Sequence, residues 1–318
     1  MIRNVVVTGG AGFIGSHMVD TLLDAGCRVT IVDNFRTGRR EFVAKAVDRV
    51  FEGDILDHEL LLRAFDGADW IVHLAANPDA RGERRGVRFN LEQNGTGTAT
   101  VLDAMQHVGT TRIMYASTAS IYGNTAESPT PENFRSVPQA SFYGASKLAA
   151  EGLIGAYCEM YGFTGILGRW VHILGERYLH GHIIDFLRKL RRDPSRLYIL
   201  GDGNQAKSGL HARNLTDGLW LAMQHHDLDE GVCEPYNFGG DSLLPVRESA
   251  KLIAEEVLGL SPVYEFSGRP NGGWVGDNAS LVLDWSKAAG LGWKPTMSVP
   301  DAIRRTAEWL TGPECRYL

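Results

Sequence analysis

Tyr143 and Lys147, in the segment "FYGASKLAAE", are four residues apart inside a predicted helix, so a phenol and an ammonium project from one face. A phenol with a reference pKa near ~10 is a poor base at neutral pH. A neighbouring cation favours the phenolate and moves it toward the range of a general base. Upstream, "YASTASIYG" (115–123) carries the apolar run "RIMYA" into Ser117, Thr118, Ala119 and Ser120, which offer three hydroxyls and no charge. The chemistry such a set suits is proton exchange with a substrate hydroxyl. Cys27, Cys158, Cys233 and Cys315 are scattered without CxxC spacing or paired histidines, so neither a metal site nor a disulfide framework is expected.

A second signal opens the chain. In "VTGGAGFIG", Gly9, Gly12 and Gly15 follow a strand-like run and introduce a helix, where small residues let the backbone approach a pyrophosphate at a helix N-terminus. Asp33 closes the next strand-like run, where a carboxylate accepts hydrogen bonds from an adenosine ribose and repels a 2′-phosphate, which favours NAD over NADP. Arg36, Arg39 and Arg40 then read as loop charges. Asp54 in "EGDI" either caps its loop or faces the adenine.

These groups need a scaffold, and the first half supplies one. "NVVVTG", "RVTIVD", "RVFEGD", "WIVHLAA", "TRIMYAS" and "TGILGRW" read as strands, alternating with helices over 12–25, 57–66, 84–107 and 143–161. Such alternation implies an α/β fold, a doubly wound parallel sheet. Past residue 170 come Gly- and His-rich loops, a short strand "RLYILGDG", and helices near 213–226, 246–258 and 298–311. The expected organisation is a Rossmann-like domain over 1–170 and a smaller substrate lobe drawn mainly from 171–318, with a soft boundary the chain can recross.

The chain resembles the extended short-chain dehydrogenase/reductases of the nucleotide-sugar epimerase/dehydratase family. The resemblance rests on "VTGGAGFIGSH", "DNFRTG", "GDI", "HLAA", "NGTGT", "YASTASIYG", "YGASK", "LGRWVHILGER", "GDGNQ", "GRP" and "LGWKP" in the family's order. It implies Tyr143 as acid/base, its phenolate favoured by Lys147 together with the cofactor's nicotinamide charge, Lys147 on the nicotinamide ribose and Thr118 on the sugar hydroxyl being oxidised. It also implies an NAD site lined by Phe13, Ile14, Asn34, Phe35, Thr37, Gly38, Asp54, Ile55, Leu74, Ala75, Ala76 and Asn94, besides the glycines and Asp33. Substrate would meet Pro78, Ala119, Ser120, His172, Arg177, His182, Ile183, Leu200, Lys207 and Arg269.

The family's reactions open with hydride transfer from sugar C4 to NAD. Its dehydratases follow the threonine with acidic residues, and its decarboxylases carry a glutamate; Ala119 and Ser120 stand there instead. A 4-epimerase needs no such carboxylate, so 4-epimerisation of a nucleotide sugar, with a UDP-sugar expected, is the favoured reading. His172, Lys207 and the Gly175-Glu176-Arg177 run depart from the family's usual Asn, Arg and Gly-Pro-Arg. His172, Arg177, Arg81, Arg84, Arg85 and Arg88 add positive charge that a uronate would use, although Arg84, Arg85 and Arg88 read equally as solvated helix charges, which leaves UDP-glucuronate/UDP-galacturonate beside UDP-glucose/UDP-galactose.

The 318 residues carry a net charge of −6, with 44% hydrophobic and 22% charged residues, which is ordinary globular composition. Without a basic block, nucleic acid and anionic membranes are not expected partners. Neither a signal peptide nor a membrane-length apolar run is read, so a cytoplasmic enzyme is expected. Relatives' helices near 84–107 and 143–161 imply a homodimer.

Overall fold

The computed structural model describes residues 2–78, 86–123, 127–134, 138–240, 242–268 and 281–318. Along the first half run β1 (Asn4–Thr8), α1 (Phe13–Asp24), β2 (Arg28–Asp33), β3 (Arg49–Glu52), α2 (His58–Phe65) and β4 (Trp70–His73). They are followed by α3 (Gly86–Asn90), α4 (Gly97–Val108), β5 (Arg112–Ala116), α5 (Phe142–Tyr161) and β6 (Thr164–Trp170). The long helix expected over 84–107 is described from Gly86 to Val108 as one helical run, but its middle, Leu91–Thr96, is a π-helix between α3 and α4. Such wide turns are seldom encoded by propensity and are frequent at functional sites.

The second half adds β7 (His172–Leu174), α6 (His182–Arg192), β8 (Arg196–Ile199), β9 (Ala206–His211), α7 (Ala212–His225) and β10 (Cys233–Phe238). It ends with β11 (Leu243–Pro245), α8 (Val246–Lys251) continued by a π turn over Leu252–Val257, β12 (Val263–Phe266), α9 (Ser286–Gly290) and α10 (Val299–Thr311).

Seven strands form one parallel sheet in the order β10-β6-β5-β4-β1-β2-β3. The expected doubly wound sheet is therefore present, with its reversal of strand order between β1 and β4, where such sheets bind ligands at their carboxyl ends. β4, buried throughout as "WIVH", and β6, buried throughout as "TGILGRW", have the uniformly apolar reading of strands covered on both faces. One face packs on α1 and α7 through Val5, Val7, Met18, Leu22, Leu215 and Leu219. The other packs on α2, α4 and α5 through Val6, Leu61, Leu102, Met105 and Ile154.

The segment after residue 170 divides its elements between both lobes: β10 pairs along its whole length with β6, and α7 covers α1. The smaller lobe keeps the sheets β11-β9-β7 and β12-β8, with α6, α8 and α10 around a core of Ile183, Leu187, Leu197, Ile253 and Ile303. Residues 182–192 follow a Gly- and His-rich run that reads as loop, yet they form a helix. Its Ile183, Ile184, Phe186, Leu187 and Leu190 are all buried, the stripe of an amphipathic helix. No helix among the described residues is long and apolar enough to cross a membrane.

Candidate active site

The glycine turn is shaped for a phosphate. Gly9 has φ +72°, and a Cβ on it would fall 2.7 Å from the Ala75 amide nitrogen; a Cβ on Gly15 would fall 2.0 Å from the Gly9 carbonyl oxygen. Both positions demand glycine. α1 begins at Gly12 with no side-chain cap and no acid in its first turn, so its N-terminal amides and positive dipole end are left for an anion. Phe13 and Ile14 begin that helix, partly exposed beside the turn.

Asp33 ends β2, buried, with Oδ2 accepting from the Ala11 amide at 2.9 Å and Oδ1 from the Phe35 amide at 2.8 Å. Burial pushes its carboxyl up and these two amides oppose the shift. Each oxygen keeps a second acceptor position, which is what a ribose diol needs. The loop folds back so closely that a Cβ on Gly38 would lie 2.8 Å from Asp33 Oδ1, while Phe35 takes φ 53° and Asn34 and Thr37 stay exposed. Arg40 pairs with Glu52 at 2.6 Å and Arg36 lies 4.8 Å over the Phe89 ring, which agrees with loop charges rather than a 2′-phosphate clamp. Asp54 caps its loop, accepting from Leu56 N and Asn34 Nδ2, and Ile55 packs beneath Gly97.

The π-helix sets Asn94 facing two other elements. Its Oδ1 accepts from Asn77 N at 2.8 Å and its Nδ2 donates to Ser146 Oγ at 3.0 Å. It thus joins the Leu74-Ala75-Ala76 loop after β4 to the helix of Tyr143 and Lys147. Behind it, Thr98 donates to the Asn94 carbonyl, His73 Nε2 donates to Thr98, and His73 Nδ1 accepts from Thr8. Burial, with the nearby Lys147 charge, holds His73 down at about 3, so it stays neutral.

Lys147, 2% exposed, donates to the Ala116 carbonyl at 2.9 Å, and burial pushes its ammonium down to about 7 against the raising pull of Glu151. Tyr143 stands over the same site with its phenol pushed up to about 12 by burial, opposed by a hydrogen bond with Thr118. Burial dominates in the protein alone; the nicotinamide charge that the sequence reading counted together with Lys147 would add to the opposing pull when NAD is bound. Thr118 caps the short 3₁₀ turn Ala119–Tyr122, accepting from Ser120 N at 3.1 Å, with Ala119 buried beside it.

Glu151, Arg169 and Tyr122, behind this edge, escaped sequence reading, and Ser117, read there as one of the edge's hydroxyls, turns toward them. Ser117 donates to Glu151, which Arg169 of β6 grips with both arms, Nε to Oε1 at 2.9 Å and Nη2 to Oε2 at 2.7 Å; Arg169 Nη1 reaches Tyr122 Oη at 3.0 Å. The available signal was spacing: Glu151 continues the Tyr143, Lys147 stripe by one more turn.

The substrate side meets expectation less well. Ile183 has no exposed surface and packs in the smaller lobe's core, so its side chain is not presented to a ligand. Arg177 is engaged elsewhere, with Nη2 2.7 Å from Asp20 on α1. Its neighbour Glu176 is held by His211, Arg305 and, through its carbonyl, His17. The Gly175-Glu176-Arg177 run is thus a clamp between α1, β9 and α10. His172 and His182 do come together, rings 5.1 Å apart, beside a small cavity shared with Gly209, Leu244 and Ser249. Leu200 is 43% exposed after β8, Pro78 is exposed after the β4 loop, and Lys207 lies on β9. Arg269, Arg81, Arg84 and Arg85 lie outside the described residues.

The NAD dependent epimerase/dehydratase family matches residues 5–239. The chain is 30% identical over 313 residues to the "Putative UDP-glucose 4-epimerase" of Methanocaldococcus jannaschii, covering 96% of this chain and 98% of that one. It is 29% identical over 310 residues to UDP-glucuronic acid decarboxylase 1 of Arabidopsis thaliana, covering 95% and 68%. Among solved structures, a UDP-galactose 4-epimerase superposes with TM-score 0.86 at 34% identity, covering 97% of this chain and 98% of the other. The Thermus thermophilus UDP-glucose 4-epimerase in complex with NAD superposes with TM-score 0.83 at 29% identity, covering 98% and 100%. With the glycine turn, Asp33 and the Tyr143, Lys147, Thr118 edge on one sheet, the chain belongs to the NAD dependent epimerase/dehydratase family.

Proposed function

We propose that the protein is a UDP-hexose 4-epimerase that interconverts UDP-glucose and UDP-galactose through a transient 4-keto sugar. The observation that carries this reading is the absence, among the described residues, of a free carboxylate beside Thr118. Ala119 and Ser120 are neutral, Glu151 is taken up by Arg169 and Ser117, and the Glu132 carboxylate accepts from the Asn237 amide. Dehydration or decarboxylation would need an acid or base at the neighbouring carbons, and the described part of this edge supplies none.

The residues divide the work simply. Thr118 orients the C4 hydroxyl, Tyr143 takes its proton and returns it, and Lys147 supplies positive charge and a ribose contact. NAD, held by the glycine turn, Asp33 and Lys147, would supply the hydride acceptor and donor for C4. Ala119 and Ser120, next to Thr118, set no charge against a keto sugar turning to present its other face. Engagement of Arg177 by Asp20 removes one cation counted for a uronate, which supports the neutral hexose.

The test is product analysis with the NAD-loaded enzyme. UDP-glucose should yield an isobaric epimer, with UDP-glucuronate turned over far less. Loss of water or carbon dioxide from either sugar would replace this reading with dehydratase or decarboxylase. The outer face of α5, with Phe142, Ala145, Gly152 and Met160 exposed, suits pairing with a second copy in a cytoplasmic homodimer. Light scattering should give twice the chain mass, and Gly152→Glu should return a monomer.

A further inference from the structure

α5 carries Tyr143, Lys147 and Glu151 at successive turns on one face. Lys147 Nζ donates to the carbonyl of Ala116, and Glu151 accepts from the hydroxyl of Ser117. Two charged groups of one helix therefore hold consecutive residues at the end of β5, immediately before Thr118. Glu151 is 6% exposed and both of its oxygens are occupied by Arg169, whose remaining nitrogen is taken by Tyr122 and the Glu132 carbonyl. Tyr122 in turn donates to Asn237 at 2.7 Å. An apolar pair would join α5 to β6 with less desolvation cost, so a buried ion pair here calls for a role beyond packing.

We propose that Glu151 is a positioning residue for the proton-transfer step: it seats Thr118 through Ser117 and keeps the Lys147 ammonium charged from one turn away. This rests on the reading of Tyr143, Lys147 and Thr118 given above. The groups around Lys147 among the described residues are the Tyr115 ring at 4.8 Å, the Tyr143 ring at 6.0 Å, neutral His73 and Glu151, the one anion among them. Burial already brings Lys147 down to about 7, and Glu151 is the group that opposes the fall. Its removal leaves burial less opposed and moves Lys147 further down.

The test uses NAD-loaded enzyme with ¹³C-labelled lysine, in which Lys147, one of seven lysines, is assigned by its loss in Lys147→Met. Its titration is compared between wild type and Glu151→Gln, together with the pH profile of UDP-glucose turnover. The Lys147 transition and the high-pH limb of kcat should both move down by about one unit, with KM changed less than about twofold and Glu151→Asp recovering most of the shift. A folded Glu151→Gln enzyme with both titrations unmoved would overturn the proposal and leave Glu151 a packing residue. If that variant does not fold, Glu151→Gln with Arg169→Met removes both charges together and carries the same comparison. Wild type inert on UDP-glucose would contradict the proposed function, and the lysine titration alone then decides the role of Glu151.

Discussion

Glu151 and Glu176 are each gripped by an arginine and a second hydrogen-bonding side chain, Arg169 with Ser117 in one case and Arg305 with His211 in the other. Glu151 sits on the catalytic helix one turn from Lys147, with its side chain 6% exposed. Glu176 sits between α1, β9 and α10 with its side chain 21% exposed, and no residue of the proton-transfer edge is among its partners. Burial pushes Glu176 up, but hydrogen bonds from His211 and Arg305 hold it well below the usual carboxylate range. A similar arginine-centred pairing thus lies behind the proposed proton-transfer edge at one place and joins elements at the other. What separates them is what lies one turn further along the chain.

The largest effect is expected on the catalytic side. Tyr143→Phe removes the proposed acid/base and should lower kcat by about 10³-fold while leaving the melting temperature within a few degrees, read by steady-state kinetics and calorimetry. A comparable fall in stability would blur the distinction between the two regions.

Acid is expected to act on both. His73 beside Lys147 is held at about 3 and His17 beside Glu176 at about 4, in both cases chiefly by burial. Both lie below the unfolded value near ~6.5, so between those limits the unfolded chain binds protons that the folded chain does not, and stability falls as pH drops below ~6.5. Each unit of depression is worth about 1.4 kcal/mol at most. Denaturant unfolding from pH 8 to 5 should show the loss, and His17→Gln should reduce its slope.

Glu176→Ala should cost about 1–3 kcal/mol of stability, since it leaves His211 and Arg305 unpaired, with kcat changed less than about twofold. A selective loss of turnover would move the clamp into the active site. The smallest effect belongs to Arg177→Ala. Its pair with Asp20 is partly exposed and worth about 0–1 kcal/mol, and the preference for UDP-glucose over UDP-glucuronate should be unchanged. Selective loss on the uronate would restore the carboxylate contact that the sequence suggested.

The parts of the site that could be read from sequence are local. Gly9, Gly12 and Gly15 lie within one turn, Asp33 ends a strand, and Tyr143 and Lys147 share a helix face, so short-range pattern suffices. What was not legible depends on partners far along the chain. Arg177 reads as a substrate cation because it stands where the family carries an arginine; Asp20, which holds it, is in the first helix. β10 joins β6 after the chain has passed through β7, α6, β8, β9 and α7, and no sequence period marks that return. The π turn that aims Asn94 has no propensity signature, and α6 was obscured by its uncapped start at Gly181 within a Gly- and His-rich run.

The central claim is that the sugar is oxidised and reduced at C4 with no proton removed from C5. It is tested most directly by turning over UDP-glucose deuterated at C4 in ordinary water, and unlabelled UDP-glucose in D₂O, with the NAD-loaded enzyme. The account predicts UDP-galactose that retains its C4 deuterium in the first case, gains no carbon-bound deuterium in the second, and forms without accumulating NADH. Deuterium appearing at C5, or a C4 label lost to solvent, would contradict it.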